Sequence, residues 1–192
     1  MVEFVNHICK VRITFFLFVV LIVVSCDKVP SKGDEDVDQD PITGYVNLSE
    51  SSTANCYIVN QGGSYRIFAV RGNDASNMLL TAKTAEVLWE SFGTDQQPSV
   101  GDLVKEVSYN NGEITFKATD RKGNAVIAAK DAAGNILWSW HIWLTDQPEE
   151  QVYYNNAGTM MDRNLGATSA TPGDVGALGL LYQWGRKDPF LG

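Results

Sequence analysis

The chain has 192 residues, with 15 basic and 23 acidic side chains, a net charge of −8 and two histidines. Such a balance offers no basic stripe to a phosphate backbone and repels anionic head groups, so nucleic-acid binding is excluded. Three cysteines, Cys9, Cys26 and Cys56, are too few for a disulfide framework.

The first informative element is the apolar run from Ile13 to Val24, which follows Lys10 and Arg12 and ends in Val23-Val24-Ser25-Cys26. A basic flank, a twelve-residue stretch broken only by Thr14 and a small residue before a cysteine have the layout of a bacterial lipoprotein signal. The run is too short for a membrane span, which needs about 20 apolar residues. Residues 1–25 are therefore expected to be removed and Cys26 to be lipidated, with the membrane as the protein's first partner. Removal takes away Lys10, Arg12 and Glu3, so the remaining chain is more acidic still.

Residues 26–44 follow as an acidic tether. Between Asp27 and Gly44 stand six acids, two lysines, two prolines and two glycines, with little to bury, and such a composition stays disordered. Asp34-Glu-Asp-Val-Asp-Gln-Asp40 is not a calcium loop, because glycine at the sixth position and glutamate at the twelfth are missing.

Residues 45–147 read as a β domain. Short β-branched and aromatic runs at 54–59, 64–70, 85–91, 104–109, 113–119, 124–130 and 136–144 alternate with turn clusters. The turns are Asn60-Gln-Gly-Gly63, Asn110-Asn-Gly112, Lys122-Gly-Asn124 and Gly134-Asn135, residue types that tolerate positive φ. Seven strands in about 100 residues predict a mainly β fold, an antiparallel immunoglobulin-like β-sandwich, with a small barrel as the alternative. Cys56 and Trp89 are expected inside. In the last strand, Ile136, Trp138, Trp140, Ile142 and Leu144 share the core face, leaving Leu137, Ser139, His141 and Trp143 opposite. Trp143 beside His141 either stacks on a sugar or, as expected here, lies beneath the segment that follows.

Residues 148–192 form a second, incomplete β-rich module. Its strand candidates are Val152-Tyr-Tyr154, Thr159-Met-Met161 and Leu180-Leu-Tyr182, around a glycine-rich loop at 166–179. The chain stops at Gly192 soon after Tyr182-Gln-Trp184, so the module reads as truncated or as needing a partner. Exposed aromatics here, Tyr154 and Trp184, join Trp143 and His141 as candidate glycan or partner contacts.

Catalytic signals are sparse. Only His141 remains after processing, no cysteine pair has zinc-ligand spacing, and no glycine-x-serine-x-glycine elbow or dinucleotide fingerprint is present. Asp162 with Glu149 or Glu150 makes an unspecific carboxylate pair. No catalytic residue, metal or cofactor is assigned, and the chain is not expected to be an enzyme. A thiol nucleophile at Cys56 would require a base beside it and a lowered pKa.

Asn55-Cys-Tyr-Ile-Val59, Gly63-Ser-Tyr-Arg66 and Leu137-Trp-Ser-Trp-His-Ile-Trp143 resemble a β-rich module of Bacteroides-type surface lipoproteins, including fimbrillin-like proteins. Met161-Asp-Arg-Asn-Leu-Gly-Ala167 and Gly179-Leu-Leu-Tyr-Gln-Trp-Gly-Arg-Lys-Asp-Pro-Phe190 resemble the opening of the Fibrobacter succinogenes major paralogous domain, which is similar to C-type-lectin-like folds. The resemblance implies a lipoprotein of the cell outer membrane, facing outward, with a structural or adhesive role, whose partners are fimbrial or other surface proteins, or glycans. The other roles considered are glycan binding through exposed aromatics and service as the anchor and spacer of a longer enzyme.

Overall fold

A computed structural model of the chain describes residues 44–72 and 78–190. The signal at 1–25, the lipidation site Cys26 and the tether as far as residue 43 lie outside the described residues. Among the described residues ten strands run in chain order: β1 (Val46–Asn47), β2 (Cys56–Val59), β3 (Ser64–Phe68), β4 (Thr84–Ser91), β5 (Val104–Asn110), β6 (Glu113–Ala118), β7 (Gly123–Lys130), β8 (Ile136–Leu144), β9 (Glu150–Val152) and β10 (Thr159–Met161). They form one four-stranded sheet of order β1-β3-β6-β5, another of order β2-β8-β7-β4, and a β9–β10 ribbon. The fold is mainly β, and among the described residues no helix is long and apolar enough to cross a membrane.

All seven expected strands form, with ends shifted by two residues at most, because each run is bounded by its own turn residues. The tightest turn joins β5 to β6. Asn111 and Gly112 both take positive φ, 48° and 87°, and Asn110 pairs directly with Glu113. Two positive φ values in succession match the right-handed twist of the strands they join. Gly123, expected in a turn, instead begins β7. A Cβ there would stand 2.5 Å from Leu103 Cδ1 and 2.7 Å from the Ser91 carbonyl oxygen, so this glycine serves close approach.

Pairing corrects the expectation of an antiparallel assembly. β3–β6–β5 and β4–β7–β8 are antiparallel, but β1 runs parallel to β3 and β2 runs parallel to β8, with Cys56 opposite His141. Turn chemistry specifies hairpins between neighbours in sequence. It carries no information about pairs that are not hairpins, whether 19 residues apart as Val46 and Tyr65 or 85 apart as Cys56 and His141.

Alternation sorts the faces. In β6, Ile114, Phe116 and Ala118 are buried while Glu113, Thr115 and Lys117 are not. In β8, Trp140, Ile142 and Leu144 are fully buried and join Ile67, Phe116, Val59 and Ile127 in one cluster drawn from both four-stranded sheets. Ile136, at the start of the strand, stays half exposed. Trp89 departs from expectation. A bulge between Val87 and Trp89 advances the register by one residue, so Trp89 pairs with Val126 and Glu90 pairs with Ala125 of the core face. Glu90, not Trp89, therefore takes the inward position. Its carboxylate accepts the backbone N–H groups of Gly101, Asp102 and Leu103 on Oε2, at 3.0, 3.0 and 3.3 Å, and that of Val104 on Oε1 at 2.7 Å. Burial raises its pKa, and the four donors oppose that rise.

The C-terminal strand expectations are met in part. Met161 closes β10 as read, but the strand expected at 152–154 ends at Val152 and the one expected at 180–182 is reduced to an isolated Leu181–Phe190 bridge. Isolated apolar runs of three residues do not fix strand length.

Candidate functional site

The face of the second sheet opposite the core is polar along one line. β8 presents Ser139, His141 and Trp143, β7 presents Asn124, and the edge strand β2 presents Cys56. Ser139, His141, Trp143 and Asn124 are buried there, His141 at 2% and Trp143 at 1% exposure. What covers them is the chain that follows β8. Asn124 Nδ2 donates to the Gly166 carbonyl at 2.8 Å, and Trp143 Nε1 donates to the Ala167 carbonyl at 3.0 Å. Lys187 Nζ donates to the Ser139 carbonyl at 2.9 Å, and Ser139 Oγ donates to Asp188 Oδ2 at 2.6 Å. The expectation that later chain lies over Trp143 and His141 is met, so neither ring offers a face to a glycan.

The resemblance motif Met161–Ala167 supplies most of this docking. Arg163, whose side chain is 4% exposed, binds both carboxylate oxygens of Asp162 at 2.7 and 2.9 Å. It also reaches both of Asp146 at 3.2 and 3.3 Å and Thr145 Oγ1 at 3.3 Å. Asp146 takes a further bond from Lys122. Asn164 Nδ2 donates to the Ala177 carbonyl, and Leu180 N–H donates to the Leu165 carbonyl. Asp162, one half of the unspecific carboxylate pair, is thus occupied by Arg163, which holds its carboxyl below the usual range.

Cys56 corrects a second expectation. Tyr57 and Val59 take the buried positions of β2, and period-two geometry sends Cys56 the other way, where the residue is exposed. Its sulfur lies 3.2 Å from His141 Nδ1, and His141 Nε2 lies 3.0 Å from Asn124 Oδ1. The base required beside a thiol nucleophile is therefore present, yet the thiol is not acidic. The protein on the His141 side of the sulfur raises its pKa, and burial pushes His141 down to about 4 against the opposing field of Asp188. The sequence held one signal of this array, the single histidine on the face opposite the core. Asn124 was hidden among turn residues.

Tyr154 and Trp184 stand open, 84% and 99% exposed. A hollow of about 230 Å³ beside them in sequence is lined by Met160, Met161, Asp162, Arg163, Asn164 and Ser169. Among the described residues no group of three or more histidine, cysteine or acidic side chains is placed to hold a metal ion. In comparison with known proteins, no protein-family profile, no curated protein and no solved structure matches this chain.

Proposed function

We propose that the chain is an outer-membrane lipoprotein, anchored through Cys26 and facing outward, with a structural or adhesive role. In this reading the two four-stranded sheets make an immunoglobulin-like spacer, the acidic tether gives reach, and the last forty residues carry the contact surface. One observation supports that surface above all. Twelve of the sixteen large hydrophobic side chains that stand exposed among the described residues fall between Val152 and Phe190. Exposed apolar surface on this scale marks an interaction site on a folded protein. Trp and Tyr favour such places because they bury a broad ring and keep a polar tip. Acyl chains on Cys26 contribute about 0.8 kcal/mol per buried CH₂, enough for stable attachment with two or more chains.

Glycan adhesion is the second reading, favoured by the nearly full exposure of Trp184. Both readings are tested on the same protein. Cys26→Ala is expected to move the chain from the membrane to the soluble fraction, and continued membrane partition would refute the anchor. Titration with a polysaccharide panel separates the two roles. A saturable change in tryptophan fluorescence, weakened at least fivefold in Trp184→Ala and Tyr154→Ala, supports glycan adhesion. A flat response across the panel leaves the protein-contact role.

A further inference from the structure

We propose that Cys56, His141 and Asn124 form a base-assisted thiol site that takes up one half of a low-molecular-weight disulfide. The inference stands on hydrogen-bond direction as well as distance. The Gly166 carbonyl can only accept, so the Asn124 amide must turn its Nδ2 toward it, at 2.8 Å. Asn124 Oδ1 then faces His141 Nε2 at 3.0 Å and requires a hydrogen there. His141 is fixed as the Nε2–H tautomer, and its Nδ1 lone pair points at Cys56 Sγ, 3.2 Å away. A nucleophile, a base within hydrogen-bond reach and a third group orienting the base make the arrangement that activates thiols and hydroxyls. Cys56 is exposed on an edge strand, so a small reagent reaches it.

The mode of activation follows from the two pKa directions. With the thiol raised and the imidazole lowered to about 4, no thiolate–imidazolium pair forms at rest. His141, however, is neutral above its own pKa and free to accept a proton as the new bond forms. The Cys56 proton passes to Nδ1 while Sγ attacks one sulfur of the disulfide. The S–S bond of the reagent breaks, the mixed disulfide forms, and the departing thiolate recovers the proton from His141. Cys56 is oxidised and the other half of the reagent is reduced to a thiol, so no further oxidant is needed. A disulfide suits the site because charge leaves with the departing sulfur. Acyl transfer would need additional donors for an oxyanion.

The titratable groups facing this array come from the C-terminal segment. Asp188 acts on His141 from the C-terminal segment, Lys187 is bound to Asp188 and Ser139, and Tyr182, itself raised to about 12 by burial, lies near Cys56.

The test uses the full chain carrying Cys9→Ser and Cys26→Ser, so that Cys56 is its one thiol, held in detergent with excess dithiobis-nitrobenzoate. Release of the coloured thiol is followed from pH 5 to 8. Base assistance predicts a rate that changes less than about threefold over this range, since His141 stays neutral throughout. An unassisted thiol speeds up about tenfold per pH unit. His141→Gln is expected to slow the reaction at least tenfold at pH 7 and to restore the steep pH slope. A steep slope in the parent chain overturns the proposal, as does a parent chain that stays inert while its urea-unfolded form reacts. Those outcomes are read on the parent chain, so they hold even where His141→Gln fails to fold.

Discussion

Replacing Glu90 by alanine is expected to cost the fold about 3–4 kcal/mol, measured as a lower midpoint in urea with an unchanged slope. The side chain is 5% exposed, and its two oxygens accept four successive backbone N–H groups from residues 101–104. Leu103 and Val104 are themselves buried, so their N–H groups find no water once the carboxylate is gone. An unsatisfied buried donor costs about 1–3 kcal/mol. Gly101 and Asp102 are less enclosed and rehydrate, which keeps the total below four full penalties. Glu90→Gln should lose less, about 1–2 kcal/mol, because one oxygen remains while the amide N–H₂ opposes a donor. A loss under 1 kcal/mol in Glu90→Ala would show that the 98–104 loop is held by its apolar contacts alone.

Arg163→Met is the second large effect, about 2–3 kcal/mol. Breaking a buried ion pair from one side leaves the partner charges uncompensated, which costs about 3–5 kcal/mol in full burial. Here Asp146 is more than half exposed and keeps Lys122, so the lower range applies. The loss should be local as well as global. The segment from Pro148 onward should become sensitive to limited proteolysis while β6 to β8 stay resistant. Acid behaviour gives an independent check. Lys122 and then Arg163 hold Asp146 well below the usual carboxylate range, and Arg163 does the same for Asp162. A carboxyl depressed in the fold stabilises it above the unfolded pKa, near pH 4, and that contribution drains away as pH falls toward the folded value. Stability should fall on acidification below about pH 4, with a shallower slope in Arg163→Met.

The sequence made the strands legible where alternation and turn residues agreed, as in β6 and β8. It misplaced Trp89 because a bulge leaves no mark in hydrophobic period. A one-residue advance between Val87 and Trp89 exchanges the roles of an aromatic and an acid. It misplaced Cys56 because a four-residue strand, alternating Cys56, Tyr57, Ile58 and Val59, is apolar at every position. Only pairing with β8 decides which side is in. Parallel pairing was invisible because no hairpin turn joins the two strands. The site was half legible: His141 stood out as the lone remaining histidine, whereas Asn124 and the Gly166 carbonyl that orients it are unremarkable residues brought together by the fold.

The parallel β2–β8 pair also sets an order of assembly. The β7–β8 hairpin spans a few residues, but seating β2 on β8 brings together positions 85 residues apart. Closing the longer loop costs about 2 kcal/mol more in chain entropy, so β2 should join after the hairpins it leans on. Pulse-labelled hydrogen exchange during refolding would then find amides 57–59 protected later than 124–129. A chain emerging from its N-terminus must carry β2 unpaired until β8 arrives. Every nascent molecule therefore passes through an interval in which Cys56 has no histidine beside it.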